Sequence, residues 1–490
     1  MGGVILDGIM DNYQWILINL LWINILLGVI LVFFERRNPT STWLWLMVLT
    51  FLPGIGFILY LFLGQDLSKK KMFKIKELED ECFRSIALEQ KEAIQNNDFY
   101  FKDPNYQRYE DIVKMFLMNS ESYFTQDNRV DLFFTGEEKF QALLESINRA
   151  EEYIHMQYYI FKSDGIGMKV LEALTKKAKE GVEVKLLVDG MGGRNLSRRA
   201  LKALKEAGGD VAIFFPPFVP FFTVRINYRN HRKICIIDGK EAYVGGFNIG
   251  DEYLGRSKKF GHWQDTHIRI RGSAVSSLQW RFYLDWRFAS KNELKACKSY
   301  LPAVESSDSV GIQVVSSGPD SRWPSIKDGY LKMITNARDK VYIMTPYFIP
   351  DDSILEALRV AGLSGVDVRV MIPNKPDHIF VYWASLSYIG ELLPAGVRFY
   401  TYDKGFLHSK VILSDDFISS VGTANLDIRS FQLNFEVNAF IYDEAINLKL
   451  TERFIKDLED CTEITEEIYQ NRSNIVKIKE SISRLLSPIL

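Results

Sequence analysis

Two short segments of the chain carry residue types suited to phosphate chemistry, and they carry them at the same spacing. In each, a histidine is followed two residues later by a lysine and five residues after that by an aspartate. Six residues then precede a glycine, and an asparagine lies three positions beyond that glycine. The two copies comprise His231, Lys233, Asp238 and Asn248, and His408, Lys410, Asp415 and Asn425. An isolated histidine is usually a core residue, but a pattern repeated in full predicts a functional pair.

The spacing predicts how each motif presents its side chains. Successive side chains of a β-strand alternate between faces, so each histidine shares a face with the lysine two residues later. If the two copies lie side by side, they bring two imidazoles and two ammonium groups together, and such a site suits a phosphodiester. The lysines would neutralise its non-bridging oxygens, and Asn248 and Asn425 would add amide donors. One imidazole can attack phosphorus while the other protonates the leaving alkoxide, and the cationic side chains make a metal unnecessary.

The elements around the motifs also repeat. An apolar run at 153–161 is followed by a helical pattern and by the strand-like stretch 181–188, which begins Gly-Val-Glu-Val. The same order recurs at 341–348 and 365–372, where the second stretch begins Gly-Val-Asp-Val. Short apolar runs that alternate with helical patterns predict an α/β fold, and the recurrence predicts its duplication.

The first 65 residues differ from the rest of the chain. Residues 13–34 and 43–63 contain no charge, and each run is long enough to cross a hydrocarbon core of about 30 Å as a helix. No basic residue precedes the first run and a second run follows at once, which disfavours a signal peptide. We predict two transmembrane helices. Pro53 and Gly54 predict that the second is kinked or re-entrant. Five lysines at 69–76, against two arginines in the connecting loop, predict a cytoplasmic catalytic body.

Composition limits the remaining possibilities. The chain has 490 residues, 60 basic against 62 acidic side chains and a net charge of −2, so bulk charge does not predict nucleic-acid binding. Its 4 cysteines are far apart, which argues against a disulfide framework or a cysteine zinc site. The predicted parts are two transmembrane helices at 1–65, a connecting helical region at 66–126, α/β domains at 127–295 and 310–470, and a C-terminal amphipathic helix at 471–490. The apolar side of that last helix is expected either to dock on the body or to contact membrane.

With both motifs present, the chain resembles the phospholipase D superfamily over roughly residues 127–470. Further stretches narrow the resemblance to bacterial cardiolipin synthases of the phospholipase D type. These are the two apolar spans joined by Glu-Arg-Arg-Asn-Pro at 35–39, and the strings at 230–233, 250–255, 263–267, 345–351, 405–410, 425–436 and 486–488. Gln264 and Ser409 stand where such enzymes often have Arg and Ala.

The resemblance implies a fold and a reaction. The fold would be two phospholipase D-type domains, each a mixed sheet flanked by helices, related by a pseudo-twofold axis around one shared active site. The reaction would join two phosphatidylglycerol molecules into cardiolipin and glycerol through a phosphatidyl-histidine, at the bacterial cell membrane and without a cofactor. His231 is assigned as nucleophile and His408 as acid and base, while Asp238 and Asp415 support the motif strands. Glu252 and Glu436 are candidates to orient the imidazoles, with surface salt bridges as the alternative.

Other functions remain open at this stage. A hydrolase or nuclease of the same superfamily would use the same histidines with water as acceptor. A nuclease would be expected to show a basic track and has no use for two membrane spans. A membrane scaffold would not need two intact motifs. The partners expected are membrane phospholipids (phosphatidylglycerol and cardiolipin) and the bilayer, with no nucleic acid, and the sequence leaves the oligomeric state open.

Overall fold

The fold is described from a computed structural model. It describes residues 15, 19, 22–29, 39–52, 55–56, 60, 81–96, 98–216, 228–290, 300 and 308–487. Contacts divide the chain into two compact units, one of which holds the N-terminal helices while the other spans 79–217 and 228–490. The two units are described separately below.

The N-terminal unit contains helix α1 (Pro39–Phe51) and a helical stretch at 22–29. The two stretches touch, because the Asn24 side-chain amide donates to the Leu49 carbonyl at 2.9 Å. Trp45, Leu49 and Tyr60 bury one another, and several large apolar side chains point outward, namely Trp22, Trp43, Met47 and Phe51. None of the helices in the described part of the chain has the length and apolarity of a membrane span. Much of the two predicted spans, including Pro53 and Gly54, lies outside the described residues.

The larger unit contains the remaining helices, which begin and end as follows: α2 (Glu81–Gln95), α3 (Pro104–Gln107), α4 (Glu110–Ser120), α5 (Gly136–Arg149), α6 (Gly165–Lys179), α7 (Arg198–Glu206), α8 (Ala274–Ser290), α9 (Ser325–Asn336), α10 (Asp352–Leu363), α11 (Ile379–Leu392), α12 (Ile428–Gln432), α13 (Glu444–Leu458), α14 (Glu466–Gln470) and α15 (Asn474–Leu485). Local signals set several of these ends. Thr135 and Glu138 form a capping box at the start of α5, and the Asp164 carboxylate caps α6.

The strands fall into two series. The first half contains β1 (Thr125–Phe133), β2 (Tyr153–Tyr158), β3 (Glu183–Asp189), β4 (Asp210–Phe214), β5 (Arg229–Asn230), β6 (Ile234–Ile237), β7 (Glu241–Gly245), β8 (His262–Gln264) and β9 (His267–Arg271). The second half contains β10 (Val310–Ser317), β11 (Lys340–Met344), β12 (Phe348–Ile349), β13 (Asp367–Pro373), β14 (Arg398–Tyr402), β15 (Gly405–Leu407), β16 (Val411–Ser414), β17 (Ile418–Gly422), β18 (Leu426–Asp427), β19 (Asn434–Tyr442) and β20 (Cys461–Ile464).

One mixed sheet joins the two halves. Its order is β20-β14-β13-β11-β16-β17-β19-β10-β1-β9-β7-β6-β2-β3-β4, with β5 paired to β19 beside this path. The order from β1 outward to β4 repeats the order from β10 outward to β14, and β1 pairs with β10 antiparallel at the centre. The predicted duplication of an α/β unit is therefore confirmed.

The central strands are apolar because they are covered on both faces. All six residues of β2 are buried, although successive side chains point to opposite faces. Helix α6 packs on β3, and α8 packs on β2 and β6. Helices α9 and α13 pack on β16. The strands that follow the two motif histidines, β6 and β16, are therefore both covered by helices.

Candidate active site

Each motif histidine follows a short strand that pairs with a strand from the opposite half of the chain. His231 follows β5, which pairs in parallel with β19, and its backbone N–H donates to the Phe435 carbonyl at 3.0 Å. His408 follows β15, which pairs in parallel with β8, and its N–H donates to the Gln264 carbonyl at 2.7 Å. Because the exchange is reciprocal, neither half builds its own histidine position alone.

The His231 imidazole is anchored by a carboxylate of the second half. Its Nδ1 lies 3.0 Å from the nearer oxygen of Glu436, which is fully buried. The Glu436 carboxylate also accepts from the Thr423 hydroxyl at 2.6 Å and from the Asn434 side-chain amide at 3.2 Å. An ionised carboxylate only accepts, so this contact places a proton on Nδ1 and leaves Nε2 as the nitrogen available for chemistry.

The His408 imidazole has the mirror arrangement with a carboxylate of the first half. Its Nδ1 lies 2.7 Å from Asp265, a fully buried residue that also accepts from the Thr266 backbone N–H at 2.8 Å. The indole of Trp263 donates to the same carboxylate at 3.4 Å, and its ring lies 5.2 Å from the His408 ring. His231 and His408 thus sit in equivalent surroundings.

Sequence reasoning placed Glu252 where the structure has Asp265. Glu252 lies in a short 3₁₀ helix, Asp251–Leu254, and its carboxylate pairs with the Lys162 ammonium at 2.7 Å, so it belongs to the salt-bridge alternative. The duplication explains the place of Asp265, although only the structure shows the correspondence. Asp265 comes just before β9, the strand that corresponds to β19 in the repeat, and β19 carries Glu436.

The two motif lysines carry charge that no carboxylate within ion-pair distance neutralises, among the residues described. The Lys233 ammonium donates to the His231 carbonyl at 2.6 Å, and the Lys410 ammonium donates to the His408 carbonyl at 2.5 Å. Burial lowers the pKa of Lys233 to about 7 and the pKa of Lys410 to about 8. A bound phosphate would favour their charged forms, so the pair forms an anion site.

Burial also sets the protonation of the imidazoles. It lowers the pKa of His231, although Glu436 opposes this effect. It lowers the pKa of His408 well below the usual value, and Lys410 and Lys233 act in the same direction. Burial raises the pKa of Asp265 to about 7. Burial alone would raise the pKa of Glu436, but His231 and Lys233 together lower it. Both imidazoles are therefore neutral in the free site, as a nucleophile or a general base must be.

The two motif aspartates directly follow β6 and β16, and their contacts are structural. Asp238 accepts from three consecutive backbone N–H groups at 151–153, at 2.8 to 2.9 Å. Asp415 accepts from those at 338–340, at 2.9 to 3.2 Å. Each carboxylate therefore fixes the start of the neighbouring strand, β2 or β11, beside its motif strand. Neither is a hydrogen-bond partner of an imidazole.

The two motif asparagines are buried and already use part of their hydrogen-bonding capacity. The Asn248 oxygen accepts from the Ile160 backbone N–H at 3.1 Å, and its amide donates to the Tyr253 hydroxyl at 3.2 Å. The Asn425 amide donates to Asp427 at 3.0 Å. Donation to a phosphate would use the second N–H of each amide and stays a prediction.

Further groups near His231 were not singled out from the sequence. The Tyr159 ring lies 4.9 Å from the His231 ring in an edge-on arrangement. Arg229 precedes His231 by two residues and is buried, and its positive charge acts on the Asp189 carboxyl and on the Tyr159 hydroxyl. Because Arg229 lies two residues before His231, its guanidinium adds to the positive charge on the His231 side of the site. Groups of three or more acidic, histidine or cysteine side chains arranged to hold a metal are absent from the described residues.

Comparison with known proteins agrees with this geometry. The family profile described as cardiolipin synthase, PLD-like domain, matches residues 143–261 and 330–458, one stretch in each half, and the profile described as phospholipase D-nuclease N-terminal matches residues 20–65. The major cardiolipin synthase ClsA of Bacillus subtilis (strain 168) is 52% identical over 477 residues, which are 97% of this chain and 99% of that protein. A cardiolipin synthase of Listeria innocua is 49% identical over 482 residues, covering 98% of this chain and 100% of that protein.

A solved structure shares the fold. The phosphatidylserine synthase of Haemophilus influenzae Rd KW20 superposes with a TM-score of 0.59 at 15% identity, over 79% of this chain and 100% of that chain. The duplicated sheet and the paired motifs define a phospholipase D-type architecture. The chain belongs to the cardiolipin synthase family of the phospholipase D type.

Proposed function

We propose that this protein is a phosphatidyltransferase that joins two phosphatidylglycerol molecules into cardiolipin and releases glycerol. The observation that carries the proposal is the reciprocal anchoring of His231 and His408. Each imidazole is fixed at Nδ1 by a buried carboxylate of the other half, and two lysines supply positive charge between them. Family membership supports cardiolipin as the product.

In the first step, His231 acts as the nucleophile. Its Nε2 attacks the phosphorus of the donor lipid, the P–N bond forms, and the bond from phosphorus to the glycerol oxygen breaks. His408, which takes up a proton when the anionic phosphate binds, gives that proton from Nε2 to the leaving oxygen, so glycerol leaves as a neutral alcohol. The intermediate carries positive charge on the His231 ring, which the ionised Glu436 stabilises at 3.0 Å. The pKa of Glu436 is lowered, whereas burial raises that of Asp265 to about 7, so His231 has the more fully ionised partner. This difference favours His231 over His408 as the nucleophile.

In the second step, the roles run in reverse. His408 accepts the proton from the primary hydroxyl of a second phosphatidylglycerol, the hydroxyl oxygen attacks phosphorus, and the P–N bond breaks. Neutral His231 returns, and Asp265 holds His408 in the orientation needed for both proton transfers. Water is the competing acceptor, and its attack would give phosphatidic acid.

The phosphate charge is met by side chains in this proposal. Lys233 and Lys410 neutralise the non-bridging oxygens, Arg229 adds a third cation, and Asn248 and Asn425 donate amide hydrogen bonds. Asp238 and Asp415 support the strands that carry the motifs. No metal or cofactor is required for either step.

The N-terminal unit would anchor the enzyme in the bacterial cell membrane. Two transmembrane helices at 13–34 and 43–63 are supported by the uncharged sequence and by the apolar side chains that α1 turns outward. The five lysines at 69–76 support a body in the cytoplasm. The Asn24 contact to α1 would satisfy a polar group within such a pair. The catalytic domains would span 127–295 and 310–470, with the connecting region at 66–126 between membrane and body.

The direct test uses purified full-length protein in mixed micelles of phosphatidylglycerol with a chelator present. We expect cardiolipin and glycerol to appear in equal amounts by mass spectrometry, and both to be lost in His231→Ala and His408→Ala. Phosphatidic acid without cardiolipin would overturn the transferase proposal in favour of a hydrolase. Activity that needs added metal ions would overturn the metal-independent mechanism.

A further inference from the structure

The C-terminal helix α15 is docked with its apolar side facing outward. Four apolar side chains recur at helical spacing along one stripe, and they are 66%, 58%, 52% and 78% exposed, in the order Ile475, Ile478, Ile482 and Leu485. A surface helix normally buries such a stripe against its own core. The amphipathic pattern predicted from the sequence is therefore present, but its orientation is the reverse of ordinary docking.

The orientation is fixed by the polar side of the helix. Glu480 is buried and pairs with Arg472 at 2.9 Å, and Ser483 is also buried. Arg484 forms an ion pair with Glu391 of α11. Turning the stripe inward would break these pairs and leave a buried charge unmatched, so the apolar stripe is held at the surface.

The stripe continues onto the beginning of α11. The Lys479 ammonium lies 5.1 Å from the Trp383 ring centre, and the Arg484 guanidinium lies 4.5 Å from that of Tyr388. Both helices therefore run in the same direction, and their first turns are neighbours. The first two residues of α11, Ile379 and Phe380, are 65% and 53% exposed. Together with the α15 stripe they form what we call the C-terminal apolar surface.

This surface adjoins the reaction site. Helix α11 begins two residues after Asp377, whose carboxylate accepts a hydrogen bond from the Tyr347 hydroxyl. The charge of Asp377 favours the protonated forms of His408 and Lys410. The end of the apolar surface at Ile379 is thus two residues from Asp377, whose charge acts on His408 and Lys410 of the second motif.

We propose that the C-terminal apolar surface inserts into the boundary between headgroups and acyl chains of an anionic bilayer, and so holds the active site against its substrate. Lys477 and Lys479 are exposed on the same helix and complement anionic headgroups. The proposal rests on the proposed function only in taking the substrate to be an anionic membrane lipid. Insertion would bring that lipid to the site without requiring it to leave the bilayer.

Insertion is tested with the full-length protein reconstituted in vesicles of phosphatidylglycerol and phosphatidylcholine. An Ile478→Cys variant carries an environment-sensitive fluorophore, and Leu448→Cys on α13, which is 54% exposed, is the matched control. The parent chain, labelled alike, gives the background from native cysteines. We expect nitroxide-labelled lipids to quench position 478 at least threefold more than position 448. Equal quenching at the two positions would overturn the proposal. So would protection of position 478 from solvent that depends on the number of protein molecules per vesicle and not on lipid, because a second copy of the chain would then cover the surface.

A kinetic test separates this proposal from the function itself. A variant with serine at all four stripe positions is compared with a Leu448→Ser and Ile455→Ser control. We expect cardiolipin formation from vesicles to fall about tenfold in the stripe variant, while the rate on monomeric short-chain phosphatidylglycerol changes less than twofold. Equal loss on both substrates, or no loss on either, would overturn the membrane contact. Failure of the parent chain to make any cardiolipin would instead overturn the proposed function.

Discussion

The sharpest prediction concerns Glu436, whose charge should stabilise the intermediate on His231. Glu436→Gln keeps the size of the side chain and an oxygen for the His231 Nδ1 proton, but removes the negative charge at 3.0 Å. Two unit charges about 4 Å apart interact by about 4 kcal/mol at an effective dielectric constant of about 20. We therefore expect formation of the intermediate to slow by a hundred- to a thousandfold, the upper figure being about the full charge energy.

A donor lipid with a p-nitrophenyl leaving group isolates that step. This leaving group needs little protonation, so the burst of p-nitrophenol reports attack by the nucleophile with little dependence on the general acid. We expect His231→Ala and Glu436→Gln to abolish or slow the burst, and His408→Ala to retain it. Glu252→Gln is the matched control and should keep the rate of the parent, because its carboxylate pairs with Lys162.

Two results would refute this reasoning. A burst at the parent rate in Glu436→Gln would show that the carboxylate does not stabilise the reacting imidazole. Loss of the burst in His408→Ala with its retention in His231→Ala would exchange the roles of the two histidines.

Three further predictions follow from the buried charges. Because the pKa of Lys233 is about 7 and that of Lys410 about 8 in the free site, their charge is lost as the pH rises. We expect kcat/KM to begin to fall above about pH 7 and to fall more steeply above about pH 8, and Lys233→Arg should move the first of these limbs upward in a pH–rate profile. An unmoved limb would contradict the assignment. Asp238→Asn should lower the free energy of unfolding by about 2–3 kcal/mol, because the new NH2 group would face a backbone N–H from which the carboxylate now accepts a hydrogen bond. The kcat of the folded enzyme should change little. Thermal melts in detergent should show a smaller loss for Asp415→Asn, and no loss for either variant would contradict the structural role. Arg229→Gln should raise KM for phosphatidylglycerol about tenfold with a smaller change in kcat; steady-state kinetics with an unchanged KM would show that this guanidinium does not meet the phosphate.

The duplicated fold and the pairing of the two motifs could be predicted because they depend on local sequence. The repeated motif identifies a functional pair, although the predicted strand face was wrong, because His231 and Lys233 lie between β5 and β6 and not within a strand. Runs such as Gly-Val-Glu-Val, which leads into β3, identify buried strands. Asp238 and Gly239 also predict a turn, and Asp238 adopts a positive φ of 52° there. Features that depend on neighbouring residues in this way can be predicted from the sequence.

The partner of His408 could not be predicted because it depends on pairing between halves. Asp265 reaches His408 through the parallel pair β8–β15, and these strands have only three residues each, too few for a periodic signal. Glu252 and Asp265 are both acidic residues that follow the first motif, so residue type alone does not separate them. The outward stripe of α15 has a similar cause, since helical periodicity identifies an apolar side but not the surface against which a helix docks.

The proposed mechanism requires the phosphatidyl group to pass through a covalent bond to His231. Purified protein is mixed rapidly with phosphatidylglycerol and quenched in detergent at alkaline pH, which preserves a phosphorus–nitrogen bond, and the digested peptides are analysed by mass spectrometry. We expect a phosphatidyl adduct on the peptide that contains His231, formed before cardiolipin and absent in His231→Ala. An adduct on His408 alone, or cardiolipin formation with no adduct at any time point, would contradict this mechanism.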